Sequence, residues 1–568
     1  MQLFVLSRRE FISARIASPA PLAVAPLTLL AFALAVQAPF LNAQDDPGNF
    51  EFRPGTLVLS RSVYEGKAST ITIGETLPLG CQGGATGLTV QVPLVAGGTV
   101  GVAVPCGVAS DNGEYPNLHD THNVWNNSGS DGSFGITSPI LLDNITADGQ
   151  LLGTLPVPTH QMVTSFSSKS ELALNRSIDG RSITFMGYRG GIGCGGSTVS
   201  PTRPNLLDVS ASNTPGVCDS TNPVITTFHS NPVVPAAYFR AVAEVDADGH
   251  FRFTDGNAYS GDNGRAAMKG GNGLYYMAGN GNSGNLSKKQ VSTTLDGIAL
   301  SNAVGAELLY PGLTPPVPPN IEMIGRFLIP GDKPGKDTNF RGLTIFNNTL
   351  YVSKGSGGNG INTVYQVGTS GTLPTGSAAD LAAVPLTILP GFPNTVASTG
   401  TSFPFGMFFA DATTLYVCDE GDGTFVAPAA SGANVADAQS LATAGLQKWR
   451  FINGAWVLQY VLQNGLNIGV PYGIDGYPSS LNPATGGCRN IAGRHNGDGT
   501  VTVYATTSTI SANGDTGADP NKLVKVTDRV SDSTLPTGEE HRGHFTTIRS
   551  AKAGEVYRGV ALAPGNDD

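Results

Sequence analysis

Short apolar runs recur along the chain, each closed by a turn of glycine, asparagine or aspartate and followed by a second apolar, aromatic-rich run. Leu343 to Phe346, the turn Asn347-Asn348 and Leu350 to Val352 form the clearest copy. Met407 to Phe409 with Leu415 to Val417, and Ala266 to Met268 with Leu274 to Tyr276, repeat it. So do Leu172 to Leu174 with Ile183 to Phe185, and Ile491-Ala492 with Val501 to Tyr504. Their turns use residues that accept positive φ, which marks tight hairpins. A second, more polar hairpin alternates with the first. Pro139 to Ile145 with Gln150 to Val157, Phe239 to Val245 with His250 to Phe253, and Leu446 to Ile452 with Ala455 to Val461 are its strongest copies. Weaker ones fall near 306–328, 362–389 and 523–548.

An inner apolar hairpin followed by an outer mixed one makes a four-stranded antiparallel blade. Radial repetition of such blades leaves only short, protected edges. The reading is therefore an all-β β-propeller of about six blades. Tyr557 to Leu562 has no partner after it and Gly55 to Ser60 none before it, so pairing these two terminal strands would close the ring. Leu88 to Val92 and Thr99 to Val104 offer a possible seventh blade. A two-sheet sandwich array is the rival fold, and it leaves the orphan strands unexplained.

Composition fits this picture. The 568 residues include 74 Gly and 38 Pro but only 13% charged residues, as short strands and many turns require. A chain of this length would normally split into several domains, yet no polar linker divides it, and a repeat architecture escapes the size limit. The expected organisation is a signal peptide over 1–43 and one propeller over 44–568, with a cysteine-bearing insertion at 64–118.

The N-terminus carries the export reading. Arg8, Arg9 and Arg15 precede an apolar run from Ala20 to Ala38, and Leu41-Asn42-Ala43 offers a small-residue exit. Ser7-Arg8-Arg9-Glu10-Phe11-Ile12 also follows the bacterial twin-arginine pattern. Without residues 1–43 the chain has 30 basic and 42 acidic residues, a net charge of −12. That balance argues against nucleic acid, whose phosphates demand a positive footprint. Six cysteines fit three disulfides in an oxidising compartment. Sequential pairing, Cys81–Cys106, Cys194–Cys218 and Cys418–Cys488, is the simplest of fifteen connectivities. The expected location is extracellular or periplasmic, with a monomer that is not inserted in a membrane once its signal is removed.

The strings Phe340-Arg341-Gly342-Leu343-Thr344-Ile345-Phe346 and Tyr557-Arg558-Gly559-Val560-Ala561-Leu562 resemble those of a family of exported bacterial β-propeller proteins. The resemblance covers most of 50–564. It implies the fold and secretion, and it brings no catalytic residues, because that family has no settled biochemical role.

Aligning the inner hairpins by their first apolar residue places Glu171, Arg265, Arg341, Phe405, Arg489 and Arg558 at one repeat position. In a propeller this position would recur around one mouth of the central channel. Four guanidinium groups there would suit a carboxylate, sulfate or phosphate, or would tie each blade to the next. Glu171 and the four arginines are the candidate ligand-binding residues. His119-Asp120-Thr121-His122 and His541-Arg542-Gly543-His544 lack the helix and glutamate of a zinc hydrolase motif. Asp246-Ala247-Asp248-Gly249 and Cys418-Asp419-Glu420-Gly421-Asp422-Gly423 offer hard oxygens for calcium without completing a twelve-residue loop, and Asp-Gly turns explain them as well. No cofactor motif is present.

Two function classes remain open. One is a binding, matrix or cell-surface protein whose partner is a glycan, an anionic one above all, or a surface protein. The other is a carbohydrate-active enzyme, a polysaccharide lyase or glycoside hydrolase, working at the mouth. A lyase would need a base there, for which His122, His495 and Tyr557 are candidates.

Overall fold

The structure, a computed structural model, describes residues 50–64, 76–77, 88–93, 99–104, 107–108, 137–159, 161–166, 168–189, 240–256, 264–279, 298–302, 323–327, 339–355, 360–377, 380–381, 383–396, 402–423, 443–511, 517–537 and 542–565. They belong to the compact unit Asp45–Asp568. Among them the alternating hairpins fold into antiparallel sheets, with the inner hairpin leading each sheet.

Blade 1 joins the chain ends: Glu555–Leu562, Leu57–Val63, Ile140–Ile145 and Leu151–Pro156 lie side by side. Leu57 faces Leu562 and Leu59 faces Val560, so the two orphan strands pair as the sequence implies. Blades 3 to 6 open on the inner strands Gly264–Lys269, Phe340–Phe346, Pro404–Asp411 and Ala484–His495, each followed by three more strands in sequence order.

Blade 2 departs from this plan. Its inner strand Asn175–Arg176 has only two residues and pairs with one end of Ser182–Arg189. The other end of that strand takes Met162–Ser165, which in turn pairs with Thr137–Ser138. Among the described residues the ring therefore holds five four-stranded sheets and one longer, irregular sheet. Among the described residues Leu88–Pro93 and Thr99–Val104 pair only with each other and join none of the ring's sheets, so they add no seventh blade there.

Side-chain alternation explains why the ring holds. Successive residues of a strand face opposite sides, so each blade presents one apolar face to either neighbour. Leu57 and Leu59 pack toward blade 6 with Tyr504 and Leu523, while Val58 between them packs toward blade 2 with Ile183 and Ala241. Leu415 and Val417 face blade 4, and Tyr416 and Cys418 face blade 6. Met186 with Tyr275, and Ala266 with Leu350, fill the seams on either side of blade 3. Every seam thus has its own apolar cluster, and the core is a ring of such clusters.

Turn chemistry sets the registers. Asn347, Asn348, Asn453 and Gly454 all take positive φ, as two-residue hairpin turns require. Among the described residues no helix is long and apolar enough to cross a membrane.

Candidate functional site

The repeat position found in the sequence is a β-bulge. Pairing passes from Phe340 with Lys354 to Leu343 with Val352 in blade 4, and from Pro404 with Asp419 to Met407 with Val417 in blade 5. It passes from Cys488 with Thr507 to Ile491 with Ala505 in blade 6, and from Tyr557 with Arg61 to Val560 with Leu59 in blade 1. In each case two inner-strand residues oppose one on the next strand. The bulged pairs are Arg341-Gly342, Phe405-Gly406, Arg489-Asn490 and Arg558-Gly559, and blade 3 has the same slip around Arg265. A bulge re-aims its side chain and bends its strand.

The small second residue lets neighbouring blades touch there. A Cβ on Gly342 would lie 2.1 Å from the Phe405 carbonyl oxygen, and one on Gly559 would lie 2.3 Å from that of Leu172. Glycine removes the conflict. Blade 6 has Asn490 instead, and its amide donates to the Arg558 carbonyl at 2.7 Å. Blade 2 places Leu172 at this step with φ 61°, a conformation a leucine rarely adopts.

All five candidate residues are buried, between 1% and 6% exposed. Arg265 Nη1 donates to Asn339 Oδ1 and, at 2.7 Å, to the Phe340 carbonyl of blade 4. Arg341 Nε donates to the Gly355 carbonyl at 3.2 Å, and its guanidinium lies 5.6 Å from the Phe405 ring of blade 5. Arg489 Nε donates to Glu420 Oε2 of blade 5 at 3.0 Å. Arg558 donates to Ser62 Oγ at 3.3 Å and to the Phe166 carbonyl. Glu171 is held within its own sheet, accepting from Thr164 Oγ1 at 2.9 Å, from the Ser165 amide at 3.3 Å and from the Tyr188 hydroxyl. Each arginine therefore has a partner from the protein, in most cases on the adjoining blade.

Three charged residues that the repeat alignment passes over join this end of the ring. Glu420 directly follows Thr414–Asp419, the second strand of blade 5, and Lys169 Nζ of blade 2 lies 4.0 Å from its carboxylate. Blades 2 and 5 stand three places apart in the ring, so the contact crosses the axis. Burial alone would raise the Glu420 pKa, but Lys169, Arg341 and Arg489 together hold it down to about 2. Asp419 beside it accepts from Ser402 Oγ, the Phe403 amide, the Gly421 amide and Gln447 Nε2 at 2.8 to 2.9 Å. Burial outweighs those donors and pushes its carboxyl up to about 6. The acidic run at Cys418 could have signalled this role, but its partners come from three other blades.

Other candidates do not converge on the mouth. His495 is exposed, six residues along its strand from Arg489, which is roughly 20 Å in extended chain. The Tyr557 hydroxyl donates to the Ser550 carbonyl at 2.9 Å, and burial pushes its pKa up to about 12. His119, His122 and His541 lie outside the described residues, as do Cys81, Cys106, Cys194 and Cys218. The remaining expected disulfide, Cys418–Cys488, is formed. On the outer turn of blade 2, Asp246, Asp248 and His250 hold their ligand atoms within 4.8 Å of one another. Asp246 Oδ1 also accepts the amides of Asp248 and His250, as an ordinary turn would have it.

No family model and no curated protein matches the chain, so the resemblance to exported bacterial propellers has no family match behind it. Among solved structures, a glucose dehydrogenase is similar at 12% identity and a TM-score of 0.33, over 68% of this chain and 92% of that one. The PQQ-bound aldose sugar dehydrogenase of Streptomyces coelicolor is similar at 11% identity and a TM-score of 0.31, over 83% and 98% of the two chains. The N-terminal domain of Nup159 follows at 9% and 0.23, over 56% and 71%. Likenesses this weak carry no argument about activity.

Proposed function

We propose that the chain is an exported, non-catalytic binding protein that takes an anionic ligand, such as a uronate or sulfate group of a glycan, at the mouth ringed by the bulges. The observation that carries this reading is the charge gathered there. Among the described residues, Lys169, Arg265, Arg341, Arg489 and Arg558 stand at this end with Glu171, Asp419 and Glu420, a run of cations on an otherwise acidic chain. Buried guanidinium groups keep their charge, and walls of low dielectric focus it outward. Lys169, 28% exposed, is the cation of Glu420's group within a ligand's direct reach. The arginines behind it then supply field and fix the mouth's shape.

A lyase reading needs a base within hydrogen-bond reach of the bound uronate. Of the candidate bases that are described, neither Tyr557, with its raised pKa and its bond to Ser550, nor the distant His495 suits that part, and His122 lies outside the described residues. Export rests on the N-terminal pattern, and the Cys418–Cys488 bond fits an oxidising compartment.

The test is retention of the mature protein on immobilised polygalacturonate and on neutral dextran, with the flow-through assayed for unsaturated ends. The reading predicts retention on the anionic matrix alone, loss of retention in high salt, and no new unsaturated ends. Equal behaviour on both matrices would overturn the anionic site, and unsaturated ends would make the protein a lyase.

A further inference from the structure

In blades 1, 4, 5 and 6 the residue that opposes the bulge is a bridge to the next blade. In blades 1, 4 and 6 it carries a hydroxyl: Ser60, Ser353 and Thr506. Ser60 Oγ donates to the Leu172 carbonyl of blade 2 at 3.0 Å, and Ser353 Oγ to the Phe405 carbonyl of blade 5 at 2.5 Å. Thr506 Oγ1 donates to the Arg558 carbonyl of blade 1 at 3.1 Å. Each hydroxyl also accepts a bulge amide, from Gly559 at 2.7 Å, Gly342 at 2.8 Å and Asn490 at 3.3 Å. One side chain thus fastens a bulge within its blade and the same bulge to its neighbour.

Blade 5 carries Cys418 at this step. Its sulfur is bonded to Cys488, the residue just before the bulged Arg489 of blade 6. The bond therefore takes the place of the hydroxyl bridge, at the seam where Glu420 meets Arg489. We propose that the Cys418–Cys488 disulfide is a redox-controlled latch on the mouth. Oxidised, it holds Asp419-Glu420 against Arg489. Reduced, it leaves this inner seam with two thiols, which donate far more weakly than the hydroxyls of the other seams.

The reduction balances with a dithiol as the reductant. The disulfide takes two electrons and two protons, Cys418 and Cys488 each become S–H, and the dithiol closes into its own disulfide. The reduced state has a place to settle, because Cys488 Sγ lies 3.3 Å from the Gly445 carbonyl, an acceptor that only a thiol can use. Opening would stay local. Farther along the same seam, Asp528 of blade 6 accepts from Lys448 Nζ at 2.9 Å and from the Tyr416 hydroxyl at 2.5 Å, both on blade 5.

Amide hydrogen exchange tests the latch in the full mature protein. Four samples are compared: oxidised, dithiothreitol-reduced, Cys418→Ala/Cys488→Ala and Cys418→Ser/Cys488→Ala. The latch predicts that reduction and the alanine pair each speed exchange at Gly421, whose amide donates to Asp419, by about tenfold, with blades 2 and 3 unchanged. The serine pair, with its hydroxyl bridge restored, stays close to the oxidised rate and ignores reductant. Both cysteines are fully buried, so thiol labelling must show that dithiothreitol reaches the bond in the folded protein, and a bond it cannot reach would overturn the redox control. Three further results would overturn the proposal: unchanged exchange in the alanine pair, a serine pair as open as the alanine pair, or faster exchange around the whole ring.

Discussion

At the residue scale, Glu420 shows how burial and charge compete. A carboxylate taken out of water should bind its proton more tightly, but three cations from three other blades reverse the sign and hold it near 2 against an ordinary 4.5. A folded-state pKa below the unfolded one means stability that is complete above pH 4.5 and is lost as pH falls through 2. The difference is worth about 3 kcal/mol. Asp419, raised to about 6 from 3.8, works in the opposite direction: its contribution is complete below pH 3.8 and is lost as pH rises through 6. Melting temperature followed from pH 7 to pH 2 in wild type and Glu420→Gln separates the two. The wild type should lose the Glu420 contribution below pH 4.5, and the variant should show a smaller acid limb, set by other carboxylates held low such as Glu244, while keeping most of the change above it. Parallel curves would mean that the three cations do not hold Glu420 ionised.

At the scale of the element, the unit that repeats is the bulged inner hairpin. The sequence showed its apolar runs and turns plainly, and even the arginine in register, because each is a local property of the chain. The glycine after the arginine looked like one more turn residue. Its role appears only when the next blade's carbonyl is seen to occupy the space of its Cβ. Gly342→Ala should push against the Phe405 carbonyl and destabilise the ring by about 3 kcal/mol, measured by denaturant unfolding. Gly271→Ala, where a Cβ meets nothing within 4 Å, is the control and should be near neutral. Equal stabilities would refute the close seam. Two elements resisted prediction for physical reasons. The third blade's outer hairpin begins at Ile298–Asn302, ahead of the 306–328 expected, because its alternation is short and flanked by proline and glycine. Leu172 to Leu174 read as the inner strand of blade 2. Leu172 instead turns with positive φ, and the strand pairs three residues later, at Asn175–Arg176.

At the scale of the whole molecule, closure was legible because the two chain ends each carried half of one hairpin, and Leu57 to Leu59 do face Val560 to Leu562. The mouth was legible only in part. Register placed the arginines together, but Lys169 and Glu420, which meet across the ring, share no repeat position and no motif. The same arginines fasten blade to blade and gather positive charge at one end, so one substitution should disturb both roles. The measurement that tests this most directly is the retention of Arg341→Gln/Arg558→Gln on immobilised polygalacturonate beside wild type, with folding checked by circular dichroism and melting. The account predicts a folded ring that melts lower, since charged hydrogen bonds contribute about 1.5–3 kcal/mol each, and that no longer binds the anionic matrix. A folded double variant that binds as tightly as wild type would contradict it, and would leave these arginines with the scaffold alone.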